Sequence, residues 1–382
     1  MATTKPKPSY VIHNIHTHIF TMEYIPKYFM SKLFPTTWAR KRWVAKLGQA
    51  VAKKTINRYS AFFYSALKKS QEEAYKELRE YYPSTAKFGV LSVDFDYMGA
   101  GKAKYGFIKQ IEDLAALKRR PEYKDNLLPF ICADPRRDGL LDLVKEYIEE
   151  HDFAGIKLYP GLGYFPTDKR LYPVWRYAEE HQIPITTHCI PKNKNHFRTK
   201  ITSEMILQAR QIKTFDEKEA RKQYDFAQYL NHPHWYRELL KDFPDLKVNI
   251  AHFGGNEEWD KYLDSPKLSK DLDPEYLADA EDWYSQIRDL IEKHKNVYSD
   301  ISFTVFDDKL YPLLKNLVNS HSRKPNTYPI KEKVLFGTDF YMLQKDYRER
   351  RFGIDLRGYL TDDEYWLIAE HNAKKFLQTK FP

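Results

Sequence analysis

The segment VIHNIHTHIF, residues 11–20, places two histidines, His16 and His18, one residue apart at the end of a short apolar run. Side chains alternate between the two faces of a β-strand, so His16 and His18 point to one face and His13 to the other. Two imidazoles at one strand end can supply two ligands to a single metal ion. An HxH pair alone is a weak signal, so its meaning depends on the strands that follow.

Seven further short apolar runs follow the first strand, YVIHNI at 10–15. They are KFGVLSVDF (87–95), LLPFICA (127–133), FAGIKLY (153–159), IPITTHC (183–189), LKVNIAHF (246–253), NVYSDIS (296–302) and KVLFGTD (333–339). Most are apolar on successive residues, which is typical of parallel strands buried on both faces. Helical patterns lie between them at 140–151, 171–181 and 280–294, and another at 361–378 closes the chain, beginning with a capping box of Thr361 and Glu364. The alternation predicts an α/β fold, a closed (β/α)8 TIM barrel.

Two connections are longer than a βα unit needs. Residues 21–86 separate the first two strands, and residues 190–245 separate the fifth and sixth. Both predict helical insertions, after strands 1 and 5, on the face that carries the active site of a barrel. Because the chain shows no internal repeat, Gly/Ser linker or low-complexity tract, we expect one domain over residues 1–382.

The charge balance raises a competing class of function. The chain has 62 Lys and Arg against 53 Asp and Glu, a formal net charge of +9. Its most basic stretch, WARKRWVAKLGQAVAKKTINR at 38–58, reads as an amphipathic helix that could serve a nucleic-acid or membrane-surface binder. No Gly-rich phosphate loop, zinc-finger spacing or RNA-recognition motif accompanies it, so we expect neither partner.

Cysteine usage and hydropathy point to an ordinary cytoplasmic protein. The two cysteines, Cys132 and Cys189, lie outside any CxxC motif. No apolar run reaches the roughly 18 residues of a membrane span, and the start MATTKPKPSY has no apolar signal-peptide core.

Ionisable residues end or interrupt several of the predicted strands. Lys157 lies in the fourth, His188 ends the fifth, His252 the sixth and Asp339 the eighth. Each has a bland explanation as a hydrogen-bonded core histidine, a helix-capping aspartate or a snorkelling lysine. Their joint occurrence at strand ends, where barrel enzymes carry their catalytic groups, favours a functional site.

With these residues in order, the chain resembles the amidohydrolase superfamily, and within it the amidohydrolase-2 group of metal-dependent TIM-barrel hydrolases. The matching segments are NIHTHIF, GIKLYP (155–160), ITTHC, IAHFGG (250–255), FGTDF (336–340) and HNAKKFL (371–377). The resemblance implies that His16, His18, His188 and Asp339 bind one divalent metal. Zn2+ is favoured by the imidazole and carboxylate donors, with Mn2+ or Fe2+ as alternatives.

The resemblance leaves two roles open. His252 would polarise the substrate or bind a second metal. Lys157 would be carbamylated and bridge two metals, as in some members of the superfamily, or belong to a site with one metal, which we favour.

A metal-dependent hydrolase follows from these roles. A bound cation would lower the pKa of a water towards neutrality, Asp339 would take a proton from that water, and His252 would hydrogen-bond the developing oxyanion. The bond attacked would be that of an amide, ester or lactone. Similar proteins of the group include non-oxidative decarboxylases and hydratases, so a lyase reaction is the alternative.

Basic loops after the strands predict a small anionic, carboxylate-bearing substrate. Arg136 and Arg137 follow the third strand, and YRERRF (347–352) follows the eighth. A guanidinium fits a carboxylate, although a salt bridge within the protein is the alternative for either arginine. After the fifth strand the basic residues are Lys192, Lys194, Arg198 and Lys200, and the candidate pocket aromatics are Tyr159, Tyr164, Phe165 and Tyr341. Barrels of this group often form homodimers, which leaves the oligomeric state open.

Overall fold

The computed structural model describes residues 10–29, 68–191, 196–265, 280–321, 326–340 and 349–380. Within these ranges eight parallel strands follow one another around one sheet in chain order. They are β1 (His13–Thr17), β2 (Lys87–Leu91), β3 (Leu127–Cys132), β4 (Gly155–Leu158), β5 (Ile185–His188), β6 (Val248–Ala251), β7 (Val297–Asp300) and β8 (Val334–Leu335). A parallel bridge between Thr17 and Phe340 joins the first strand to the end of the eighth. The sheet is therefore a nearly closed barrel, and the predicted (β/α)8 fold is confirmed.

The strands are shorter than the apolar runs that predicted them. The sixth run was expected to extend to residue 253, but β6 ends at Ala251 because His252 and Phe253 adopt φ of 69° and 45°. Asp339, with φ of 56°, likewise lies beyond the end of β8. A left-handed backbone cannot continue a β-ladder, so these two ionisable residues sit on the loops that leave the strands. The first strand was placed too early, because β1 runs through His16 to Thr17.

Helices connect the strands along the chain. They span Gln71–Glu80, Phe107–Lys118, Leu140–Glu149, Tyr172–His181, Ser203–Ala209, Gln223–Asn231, His234–Asp242, Asn256–Leu263, Trp283–Lys293, Tyr311–Asn319 and Glu349–Tyr359. The predicted closing helix at 361–378 is interrupted, with a π-helical turn at Leu367–His371 between Asp362–Trp366 and Asn372–Leu377. Its predicted capping box is confirmed, since Thr361 Oγ1 accepts from Glu364 N and Glu364 Oε2 accepts from Thr361 N. None of the helices in the described ranges is both long and apolar enough to cross a bilayer.

The long connection after β5 folds around an apolar cluster to which the loop after β4 contributes Phe165. The cluster comprises Phe165, Phe197, Ala209, Ile212, Ala220, Phe226, Tyr229, Leu230 and Trp235. Asn231 fastens this segment to the barrel, since its Oδ1 accepts from Gly161 N at 2.8 Å and its Nδ2 donates to Ile190 O at 3.3 Å. The segment is thus fixed against the loops that follow β4 and β5. After β1 the structure describes a 3-10 turn at Met22–Tyr24, whereas the basic stretch 38–58 lies outside the described residues.

A second apolar cluster brings together residues from five strands and the last helix. Ile15, Leu91, Phe130, Tyr298 and Leu335 pack with Ala373 and Phe376. This packing fixes the strands relative to one another, and thereby the loops at their C-terminal ends. The site described next is built on those ends.

Candidate metal centre at the strand ends

His16, His18 and Asp339 converge where β1 meets the end of β8. Their ligand atoms lie within 4.8 Å of one another, and all three residues are buried. Asp339 Oδ1 lies 3.3 Å from His18 Nε2 and 3.7 Å from His16 Nε2. The backbone sets this approach, because Asp339 N donates to His16 O at 2.8 Å and His18 N donates to Phe340 O at 3.1 Å.

The Nδ1 atoms of both histidines are occupied by hydrogen bonds. His18 Nδ1 donates to Leu91 O at 2.9 Å, and His16 Nδ1 donates to the Asp300 carboxylate at 3.0 Å. Because the proton of each ring is on Nδ1, the lone pair is on Nε2, the atom nearest Asp339. His16 Nε2 is buried and has no hydrogen-bond partner among the described residues. An imidazole that donates from one nitrogen and offers the other is the usual form of a metal ligand.

His188 and His252 form a second pair beside this group. His252 Nδ1 donates to Ser302 O at 3.0 Å, so its Nε2 is free to accept from His188 Nδ1 at 3.0 Å. His188 Nε2 is then left buried without a hydrogen-bond partner in the described part of the chain. His252 in turn lies against His16, with 4.7 Å between the ring centroids.

The structure does not bring His188 into the same tight group. Among the described residues, the other trio of ligand atoms within 4.8 Å is His16, His252 and Asp300. His188 therefore joins the predicted site through His252, with 4.7 Å between the two rings. Its predicted role as a metal ligand stays a prediction, supported by its free Nε2.

Asp300, at the end of β7, is the main residue that sequence reasoning missed. Its buried carboxylate accepts from His16 Nδ1, from Asn249 Nδ2 at 2.7 Å, and from the backbone N–H groups of His252 and Ser302, both at 3.1 Å. Burial would raise the pKa of this carboxyl, but His16 and the hydrogen bonds hold it well below its usual range. An ionisable residue ending an apolar run, the signal that identified Asp339, was also present here in NVYSDIS.

The electrostatics of the site suit a cation. Burial lowers the pKa of His16 to about 4, although the Asp300 charge opposes it, and burial also lowers the pKa of His188 and His252. These imidazoles are therefore neutral near pH 7, the form that binds metals. Burial would raise the pKa of Asp339, but the adjacent His18, His16 and His252 bring it to about 2. Neutral imidazoles beside an ionised carboxylate, with the Nε2 atoms of His16 and His188 unpartnered among the described residues, fit a divalent transition metal.

Lys157 projects from β4 into the same interior. The residue is 1 % exposed, so its interpretation as a snorkelling surface lysine is wrong. Its Nζ has no hydrogen-bond partner among the residues described and lies 5.9 Å from the centre of the Tyr159 ring. Burial lowers its pKa to about 8, with the charges of Asp339 and Asp300 partly offsetting the effect.

Arg136 and Arg137 are engaged within the protein. Arg136 donates to both oxygens of Asp134 and to the carbonyls of Tyr97 and Leu162. Arg137 donates to Asp94 and Asp96, at 2.7 Å and 2.9 Å from Nη2. The salt-bridge alternative therefore describes both arginines, whose donors are used in holding the loops after β2 and β3.

Of the aromatic residues predicted to line the pocket, one lies near the site and two have structural roles. The Tyr159 ring lies 4.4 Å from the His188 ring, close to the site. Tyr164 is structural, since its hydroxyl donates to Ala133 O and accepts from Tyr159 N, and Phe165 belongs to the apolar cluster after β5. Tyr341, Lys192 and Lys194 lie outside the described residues.

A buried polar network lies behind Asp339, at the seam where β1 meets the end of β8. Glu349 Oε1 accepts from Thr338 Oγ1 at 2.7 Å, from Asn14 Nδ2 at 3.3 Å, and from the Tyr82 hydroxyl. Thr338 N also donates to Asn14 Oδ1 at 3.2 Å. These bonds tie the residue before Asp339 to β1, and so help to fix the carboxylate beside His16 and His18.

The comparisons with known proteins agree with this fold. Residues 67–379 match the amidohydrolase-2 family model, described as Amidohydrolase. The chain belongs to this family, whose members are metal-dependent enzymes that include decarboxylases and hydratases. No curated protein matches the chain.

Similar solved structures cover nearly the whole chain at low identity. A dihydroxybenzoic acid decarboxylase from Polaromonas sp. JS666, with bound manganese and the inhibitor 2-nitroresorcinol, is 12% identical with a TM-score of 0.52, covering 97% of each chain. A 2,6-dihydroxybenzoate decarboxylase in complex with 2,6-dihydroxybenzoate is 13% identical with a TM-score of 0.51, covering 97% of this chain and 99% of its own. A 4-oxalomesaconate hydratase from Rhodopseudomonas palustris is 18% identical with a TM-score of 0.47, covering 96% and 95%. At these identities the likeness to the two decarboxylase structures shows the fold alone.

Proposed function

We propose that this protein is a metal-dependent hydrolase that cleaves an amide, ester or lactone bond of a small carboxylate-bearing substrate. One observation carries the proposal: the Nε2 lone pairs of His16 and His18 and the ionised carboxylate of Asp339 converge, with all three ligand atoms within 4.8 Å of one another. A buried group of this kind without a cation would leave His16 Nε2 unsatisfied.

The residues that would hold the ion are His16, His18 and Asp339, with His188 as the fourth ligand. A single ion fits this set, and Zn2+ is our first choice because two or three imidazoles and one carboxylate suit it. When bound, the ion would polarise the scissile carbonyl and lower the pKa of a water.

Side chains of the protein would then transfer the proton and stabilise the developing negative charge. Asp339, ionised at neutral pH, would accept the proton of the water and pass it to the leaving group. The buried Nζ of Lys157, which has no hydrogen-bond partner in the described ranges, would donate to the developing oxyanion. His252, which the sequence suggested as the donor to the oxyanion, has its only N–H engaged by Ser302 O. It would instead act as a positioning residue, because accepting from His188 Nδ1 keeps His188 Nε2 available as a ligand.

Several finer features belong to the proposal as well. We expect a single domain, a cytoplasmic location and a small-molecule partner, with a homodimer as the assembly to test. Carbamylation of Lys157 and a second metal are the alternative form of the site, which the mass of the intact protein would reveal.

The experiment combines metal analysis with a substrate screen. Elemental analysis of the purified protein should find about one transition metal per chain. A panel of carboxylate-bearing amides, esters and lactones should then reveal hydrolysis that is lost on chelation and restored by Zn2+ or Mn2+. Asp339→Asn should lower turnover at least about 100-fold, the usual scale for a general base.

Asp142→Asn is the matched control, because Asp142 is an exposed aspartate on the helix Leu140–Glu149. Its turnover should equal that of the wild type. The proposal fails if the protein binds no metal, or if Asp339→Asn retains wild-type turnover with metal bound. Release of CO2 from the acids of the panel without any hydrolysis would instead identify the alternative, a lyase.

A further inference from the structure

Arg198, in the segment after β5, is a partly buried arginine without an acidic partner in the described part of the chain. Its Nη1 lies 2.7 Å from His196 Nε2, and its Nη2 lies 3.5 Å from Phe29 O. Its Nε is buried and makes no hydrogen bond with any described residue. Burial lowers its pKa, and no carboxylate in the described ranges offsets the effect. Arg136 and Arg137, by contrast, are both neutralised by aspartates.

The position of Arg198 is fixed by three loops of the catalytic face. Its N–H donates to Met98 O at 2.6 Å in the loop after β2, and Phe197 N donates to Gly161 O at 2.9 Å in the loop after β4. Its Nη2 contact with Phe29 reaches the segment after β1. Gly99 permits this approach, because its φ is 77° and a Cβ there would lie 2.7 Å from Thr199 Cγ2. Arg198 is therefore anchored at the mouth of the barrel.

A row of buried phenylalanines lies between this position and the candidate metal centre. The ring of Phe20 lies 5.5 Å from that of His18, the ring of Phe95 5.5 Å from that of Phe20, and the ring of Phe29 5.4 Å from that of Phe95. The backbone carbonyl oxygen of Phe29, the last residue of this row, lies 3.5 Å from Arg198 Nη2. A row of apolar side chains thus runs from the metal-ligand residues to the cationic side chain of Arg198.

We propose that Arg198, held in place by His196, binds a carboxylate of the substrate at a distance from the reacting bond. A guanidinium with an unused Nε and a neighbouring Nη can bind a carboxylate with two parallel hydrogen bonds. The inference rests on the proposed function and refines it: the substrate carries its carboxylate on an apolar or aromatic group, and the bond that reacts lies at the other end, beside Asp339. A carboxylate held by Arg198 is not the group that is removed, so this arrangement favours hydrolysis over decarboxylation.

The test measures binding of matched ligand pairs by calorimetry. The probes are aromatic and unsaturated carboxylates, each paired with its carboxamide, on wild-type protein with Zn2+ and after chelation. The wild type should prefer the carboxylate at least about 10-fold, the scale of a charged hydrogen bond. Arg198→Gln should abolish this preference in both preparations and leave the carboxamide affinity unchanged, and Arg198→Lys should restore part of it. Arg210→Gln, which removes an exposed arginine paired with Glu217, is the matched control.

Each outcome decides the matter. The inference is overturned if no carboxylate of the panel is preferred by the wild type, or if the preference survives in Arg198→Gln. A preference that disappears on chelation but not in Arg198→Gln would mean that the ion holds the carboxylate, which refutes this inference and leaves the hydrolase proposal standing. An Arg198-dependent preference without any hydrolysis would support the anchor and count against the hydrolase. Unchanged carboxamide binding and circular dichroism show that Arg198→Gln is folded.

Discussion

Glu349→Gln should change how the stability of the protein depends on pH. Glu349 is 1 % exposed, and burial raises its pKa from the ordinary 4.5 to about 7, even though Thr338 and Tyr82 donate to it. Between pH 4.5 and 7 the unfolded chain releases this proton while the folded protein keeps it, so rising pH favours the unfolded state. A pKa difference of about 2.5 corresponds to about 3 kcal/mol, at 1.36 kcal/mol for each pH unit.

The assay is urea denaturation of the metal-free wild type and variant at several pH values from 4.5 to 7.5. The unfolding free energy of the wild type relative to Glu349→Gln should fall by about 3 kcal/mol over this range. Rising pH destabilises the wild type through the buried Glu349, whereas the Gln side chain does not titrate. Glu180→Gln, at an exposed position on Tyr172–His181, should show no such change. If the difference between wild type and Glu349→Gln is constant within about 0.5 kcal/mol, Glu349 does not keep its proton and our reading of the seam is wrong.

Three further predictions concern the groups around the site. Asp300→Asn should weaken metal binding about 10- to 100-fold, because it disturbs the partner of His16 Nδ1; competition with a chromophoric chelator measures this, and unchanged affinity would contradict it. Lys157→Met should abolish most turnover yet raise the unfolding free energy of the metal-free protein at pH 7 by up to about 3 kcal/mol. The reason is that the pKa of this lysine falls from 10.5 in the unfolded chain to about 8 in the folded protein, so burying the charged amine costs stability that Met does not lose. Urea denaturation that finds no gain would refute it. Arg136→Gln should destabilise the fold by about 3 kcal/mol by leaving the buried Asp134 unpaired, while the preference for carboxylate over carboxamide stays the same; a lost preference would show that Arg136 also serves the substrate.

The barrel could be predicted because its strands are buried on both faces and so stand out as short apolar runs. Their ends could not, because His252 and Asp339 leave the ladder through left-handed backbone that no propensity signals. The interrupted closing helix was missed for a similar reason, since a π-helical turn at Leu367–His371 is compatible with the same helical pattern of side chains. The basic stretch 38–58, the basis of the competing class, lies outside the described residues.

The residues of the site could be predicted from the sequence where they lie at or next to the ends of strands. His16, His18 and Asp339 do meet, and His188 and His252 lie beside them. Asp300 carried the same signal and was overlooked. The bond between Asn14 and Glu349 joins residues 335 positions apart, so no local pattern could have revealed it.

Two properties were determined by the sequence itself. The alternation of a strand places His16 and His18 on one face, and the order of apolar runs specifies the barrel that gathers their ends. The tertiary structure decided the rest, because it alone determines which residues contact one another. The partners of the Nδ1 atoms, Leu91 O and Asp300, leave Nε2 as the atom available to a metal. Arg136 and Arg198 carry the same charge, yet an aspartate neutralises Arg136 whereas no described carboxylate meets Arg198. Charge belongs to the residue, but whether that charge is already compensated depends on distances that only the folded chain sets.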